Sequence, residues 1–136
     1  MYKILLATDG SANSLRAAEA AAKLAGPLKA KVTVISVAQE TYLPPEFAET
    51  LRKSIKENAQ KAIDKTKDLL EEKGINTDTL LHRGSPGNVI CEVADKEGYN
   101  LIILGNSGLG SVEELFLGSV SNTVVHRAKT SVMIVK

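Results

Sequence analysis

Two stretches of the 136-residue sequence hold side chains whose types and spacing suit chemistry. One is the gapped series Gly105-x2-Gly108-x9-Gly118-Ser119, and the other is the turn Asp9-Gly10-Ser11 near the start. Glycines let a backbone come close to an anion, and the amides that open a helix supply donors and a partial positive charge. Such a segment holds phosphate by backbone dipoles, with Ser119 and Ser121 as hydroxyl donors and no lysine within the motif. Two standard phosphate signatures are absent. No Gly-Lys dipeptide occurs, which excludes GxxxxGK[ST], and Glu113 stands where the third glycine of a dinucleotide fingerprint would follow Gly108 and Gly110. A structural alternative stays open. Gly105 then turns the chain out of a strand, Ser111 to Glu114 forms a capping box, and Gly118 ends the short helix that the box starts. Asp9 or Ser11 reads as a helix N-cap, and Asp9 alternatively as a ligand for a ribose hydroxyl or Mg²⁺.

The remaining candidates narrow the chemistry. Cys91 is the single cysteine, which excludes an intramolecular disulfide, a CxxC pair and a cysteine-based zinc site. His82 and His126 are far apart and read as surface or packing residues, Cys91 as a buried small hydrophobe, and Arg83 as a lone cation beyond a strand end. Phosphoryl transfer needs a positioned nucleophile and charge stabilisation, and the motif segments offer no general base apart from Asp9.

These residues need elements to position them. Five segments read as strands: Tyr2 to Thr8, Lys31 to Val37, Asn76 to His82, Leu101 to Leu104 and Ser131 to Val135. Four are nearly continuous apolar runs, as expected of parallel strands covered on both faces, and the polar third one reads as a sheet edge. Helical periodicity fills the gaps. Leu15, Ala18, Ala22 and Ala25 form one stripe, stopped by Gly26-Pro27, and a longer one runs from Leu51 and Ile55 through Ala59, Ala62, Ile63, Thr66, Leu69 and Leu70. Val89, Ile90, Val93 and Ala94 form a third after Ser85-Pro86, and Val120, Val124, Val125 and Ala128 a fourth. This alternation predicts an open, doubly wound α/β sheet, with ligands bound outside the carboxyl ends of its strands. The length is that of one domain, expected to span residues 1–136. With 17 basic and 16 acidic residues and no long basic block, a nucleic-acid groove is not expected, while a small anionic ligand is. No signal peptide and no run of 18 apolar residues is present, so the expected compartment is the cytoplasm, with no membrane partner.

The chain resembles the universal stress protein family along its whole length. The resemblance is carried by ILLATDGSANSLRAAEAAAKLA, by Arg83-Gly84-Ser85-Pro86, by LIILGNSGLGSVEELFLGSVSNTVVHRA and by the closing VMIV. The family's ATP-binding pattern, G-x2-G-x9-G-[ST], is met at Gly105, Gly108, Gly118 and Ser119. The resemblance implies a five-stranded parallel sheet of order 3-2-1-4-5, Rossmann-like, with helices on both faces. It also implies an ATP site, usually with Mg²⁺ or Mn²⁺, between the first and fourth strand ends. Ala7, Thr8 and Asp9 would line that site, with Asp9 near the ribose. Val37 would pack on adenine, Leu104 and Gly105 would lie beside the ribose, and Gly108, Gly118, Ser119, Val120 and Ser121 would wrap the phosphates. Asn106-Ser107 departs from the Ser-His often found between the first two glycines, and Thr130-Ser131 from a frequent Cys-Pro. The function implied is that of a nucleotide-binding regulatory or stress-response protein. A nucleotide-independent interaction module and a slow ATPase are the alternatives. The apolar run Val132 to Val135, guarded by Lys136 alone, would lie at the sheet edge. Pairing with its copy in a homodimer would satisfy that edge, as relatives often do.

Overall fold

The computed structural model describes residues 1–106 and 117–136. Strands β1 (Lys3–Ala7), β2 (Lys31–Gln39), β3 (Thr77–Gly84), β4 (Leu101–Gly105) and β5 (Ser131–Val135) alternate with helices α1 (Ala12–Leu28), α2 (Ala48–Glu72), α3 (Pro86–Lys96) and α4 (Ser119–Arg127). All strand pairs are parallel and the order is β3-β2-β1-β4-β5, as expected. Side chains alternate across the sheet, so each strand feeds two cores. Ile4, Leu6, Val32, Val34 and Ile103 pack with Ala17, Ala21, Ile63 and Leu70 of α1 and α2. Leu5, Ala7, Ile35, Ile102 and Leu104 pack with Ile90, Val93, Ala94 and Val124 of α3 and α4 on the other face. Cys91 belongs to this second core, where burial pushes its thiol above the ordinary range and the Asp95 carboxylate adds to the shift. Among the described residues no helix is long and apolar enough to cross a membrane.

Several helix details differ from the sequence expectation. α1 does not stop at Gly26-Pro27 but runs to Leu28 with Pro27 inside its last turn. A proline that close to the end removes only one hydrogen bond of the helix. The stop comes from Lys29, which takes a left-handed conformation (φ 50°), while Lys29 N and Ala30 N donate to Gly26 O and Ala25 O at 3.0 and 2.9 Å. The buried face of α1 is Ser14, Ala17, Ala18, Ala21 and Ala25, rotated from the expected stripe. Alanines surround this helix, so periodicity alone does not phase it.

α2 starts at Ala48 and reaches far beyond its core. Its 25 residues span roughly 37 Å at 1.5 Å each, against roughly 30 Å for the nine residues of β2. Its buried residues begin at Ala59, so Leu51, expected inside, is 37% exposed. Val125, expected on the stripe of α4, is also exposed, because it lies five positions from Val120 and off the face of Val124.

Candidate functional site

The strand order reverses between β1 and β4. The chain leaving β1 enters α1 on one face of the sheet, while α4, which leads into β5, lies on the other, so a cleft opens where they diverge. Its volume is about 490 Å³, within the range of small-molecule sites. Ala7, Thr8 and Asp9 line it from the end of β1, Val37 from β2, Leu104 and Gly105 from β4, and Gly118, Ser119, Val120 and Ser121 from the start of α4. The structure thus brings together ten of the residues singled out from the sequence. Gly108 lies outside the described residues, as do Ser111 to Glu114 of the capping-box alternative.

Six further lining residues escaped the sequence reading: Ser14, Ile35, Ser36, Gln39, Pro86 and Ile90. Pro86 and Ile90 also serve α3 itself, as its first residue and as part of its buried stripe. Ile35 and Val37 point to the same side of β2, and with Ile90 and Leu104 they give the cleft an apolar wall. His82, His126, Cys91 and Arg83 are not on its lining.

The acidic turn is built by local hydrogen bonds. Ser11 is the N-cap of α1, its hydroxyl accepting from Ser14 N at 3.2 Å, so the cap role expected for Asp9 or Ser11 belongs to Ser11. Asp9 Oδ1 accepts from Ser11 N at 2.9 Å, an arrangement that orients the carboxylate at the rim. Gly10 between them has φ +79°, a left-handed conformation that favours glycine. Thr8 Oγ1 accepts from Gly10 N at 3.1 Å, donates to Ser14 Oγ at 3.1 Å and lies 2.7 Å from Thr66 Oγ1 on α2. A buried hydroxyl network therefore ties the turn to a second helix.

The start of α4 carries the opposite character. Gly118 is its N-cap with φ −63° and offers no capping side chain. The left-handed end that a C-terminal helix glycine takes is therefore not adopted there. Gly118 N donates to Asn106 O at 2.7 Å, and the first helical bond runs from Asn122 N to Gly118 O at 2.9 Å. Between them, the amides of Ser119, Val120 and Ser121 have no intrahelical acceptor and no partner among the described residues. They present three donors and the positive end of the helix dipole to the cleft. Ser121 is the exception among the expected hydroxyl donors, because its Oγ donates to Gly105 O at 2.7 Å and only its amide faces a ligand unspent. The cleft suits a molecule with a flat apolar part, a hydroxyl-bearing part and an anionic end. Among the described residues Asp9 is the one carboxylate on its lining, and no cluster of three acidic, histidine or cysteine side chains gathers among them elsewhere. A Mg²⁺ ion there would need the anionic ligand itself to complete its shell.

The sequence model of the universal stress protein family matches residues 1–136. Universal stress protein YxiE of Bacillus subtilis is 31% identical over 145 aligned positions, covering 98% of each chain. Among solved structures, protein MJ0577 of Methanocaldococcus jannaschii matches with a TM-score of 0.85 and 28% identity, over 99% of this chain and 95% of that one. A universal stress protein crystallised in complex with cAMP matches with a TM-score of 0.77 and 28% identity, over 99% and 97% of the two chains.

Gly105 has a structural duty independent of any ligand. A Cβ there would lie 2.9 Å from the carbonyl carbon and oxygen of Asn13, which a backbone can relieve only by moving. Gly105→Ala is expected to cost about 1–3 kcal/mol of stability, the scale of overpacking a filled site. Urea denaturation without added ligand measures this, and an unchanged midpoint would show that α1 yields freely.

Proposed function

We propose that this chain, which belongs to the universal stress protein family, binds an adenine nucleotide in the cleft between β1 and β4 and acts as a nucleotide-dependent regulator in the stress response. The observation that carries this reading is the bare start of α4. Three amides without a partner among the described residues and a glycine cap face a cleft with an apolar wall on one side and the Asp9 carboxylate at its rim. The nucleotide is ATP with Mg²⁺ or Mn²⁺, as the intact glycine pattern suggests. Val37, with Ile35 and Ile90, would hold the adenine, while Ala7, Thr8, Leu104 and Gly105 would flank the ribose and Asp9 would accept from its hydroxyls. Gly118, Ser119, Val120 and Ser121 would take the phosphates together with Gly108. The solved relative crystallised with cAMP supports the adenine part of this assignment.

Binding rather than turnover is the proposed activity. Asp9 is the lone ionisable side chain on the described lining, and its Oδ1 already accepts from Ser11 N. The cytoplasm is the proposed site of action. A nucleotide-independent interaction module is the second reading, and it draws on one specific observation. The packing of Gly105 on Asn13 requires that glycine whether or not a phosphate is present.

Isothermal titration with ATP and Mg²⁺ separates the two. Saturable binding at or below millimolar ATP is expected, weakened by about 1–2 kcal/mol in Ser119→Ala, the scale of one hydrogen bond to a charged group. No saturable heat at millimolar ATP would leave the interaction module, and rapid turnover abolished by Asp9→Ala would indicate an enzyme.

Two copies are proposed to pair through β5. Among the described residues its one sheet neighbour is β4, and Val132 to Val135 are all only half-buried in the single chain. An apolar strand left open at a sheet edge invites pairing, and a two-fold axis satisfies both copies at once. Sedimentation at micromolar concentration is expected to give a dimer, and a monomer after Met133 and Val135 are both replaced by lysine. A monomeric parent chain would contradict the pairing.

A further inference from the structure

We propose that a second cleft, between the first turns of α2 and the ends of β2 and β3, docks an acidic segment of a partner protein that carries apolar anchors. This cleft has a volume of about 510 Å³ and shares Gln39 with the first, yet its chemistry is different. Arg52, Lys53 and Lys56 line it from α2 and Arg83 from β3. Glu40, the one acid on the lining among the described residues, is spent on Arg83 at 3.1 Å. Among the described residues no ion pair or hydrogen bond engages the side chains of Arg52, Lys53 or Lys56. Glu49 and Glu57 lie one turn to either side of Lys53 on α2, and neither forms a bridge with it. Arg52 and Lys56 stand one turn apart on the same row of the helix, an arrangement of like charges that weakens a helix unless an anion joins them.

Three exposed apolar side chains adjoin this region along the chain, Tyr42 lying between the lining residues Thr41 and Leu43, Phe47 just before α2, and Leu51 just before Arg52. Tyr42 is 84% exposed and Phe47 61%, two of the five aromatic residues in the chain. Within the cleft Leu43, Ile55 and Ala38 supply an apolar lining. Exposed aromatics beside arginine are the composition of protein-interface anchors. Charge complementarity fixes the sign of the occupant, and the apolar groups fix its kind. An inorganic anion would leave Tyr42, Phe47 and Leu51 unused. A nucleic acid needs many phosphate contacts, whereas Arg52 and Lys56 are separated by about 6 Å along the helix axis, roughly the span of one phosphate step. An acidic peptide with aromatic or aliphatic anchors uses both features. This docking does not depend on nucleotide binding, so either can fail alone.

The test uses the full chain and fluorescence anisotropy with a labelled peptide pool of about twelve residues, Asp or Glu at two of every three positions and Leu, Phe or Trp at the third. Saturable binding is expected, falling about tenfold between roughly 50 and 300 mM NaCl. Arg52→Glu with Lys56→Glu should weaken it by about tenfold, and Tyr42→Ser with Phe47→Ser by about threefold, with unchanged thermal midpoints. A matched pool carrying Lys in place of Asp and Glu should not bind. The proposal is overturned by no saturable binding of the acidic pool, by affinity that survives the charge reversal, or by an oligothymidylate of equal charge binding more tightly through the same residues.

Discussion

α1 approaches the end of β4 so closely that a Cβ at position 105 would lie 2.9 Å from the Asn13 carbonyl, a contact that the missing side chain of Gly105 avoids. That close approach sets the spacing at the carboxyl edge of the sheet. It brings the Asp9–Ser11 turn, which opens α1, beside the strand end from which Asn106 accepts the hydrogen bond of Gly118 N. Ser121 closes the arrangement by donating back to Gly105 O. The start of α1, the end of β4 and the start of α4 therefore converge on one glycine, and the cleft is what their diverging paths leave open.

Polar groups at this edge divide into those used for building and those left for a ligand. The hydroxyls of Thr8, Ser11, Ser14, Thr66 and Ser121 are all hydrogen-bonded within the protein, as most buried polar groups are. Their bonds hold the first turn of α1 against α2, and the first turn of α4 against β4. The amides of Ser119, Val120 and Ser121 have no partner among the described residues. Donors fixed in this way lose little freedom when a ligand arrives, which is the advantage of a preorganised site. Four side-chain cations, Arg52, Lys53, Lys56 and Arg83, line the neighbouring cleft instead. One edge of one sheet thus carries a dipolar site and a cationic site with distinct preferences.

Fold class was legible because four of the strands are apolar runs with no polar alternation, which only a sheet covered on both faces accommodates. The strand order came from the resemblance to the family and not from the pattern of residues. Val37, Leu104 and Val120 came from the resemblance to the family, whereas Ala7, Thr8, Asp9, Gly105, Gly118, Ser119 and Ser121 were legible through their place after strand ends and within the glycine series. Ser14, Pro86 and Ile90 were not, since each also has a structural task that explains it fully. Alanine on every side hid the phase of α1. The exposure of Leu51 was hidden for another reason, as periodicity tells which face of a helix is apolar but not where the sheet beneath it ends. Gly105 shows the limit in the other direction, since its part in the glycine pattern and its packing against Asn13 give the same letter in the sequence.

The location of a bound nucleotide tests the account most directly. In a titration of ¹⁵N-labelled protein with Mg²⁺ and ATP followed by ¹H–¹⁵N correlation spectra, the amides of Ser119, Val120 and Ser121 should shift saturably, together with those of Thr8, Asp9 and Gly105. The amides of Arg52 to Lys56 should stay in place. Saturable shifts confined to α2 and the end of β3, with the start of α4 unmoved, would contradict it.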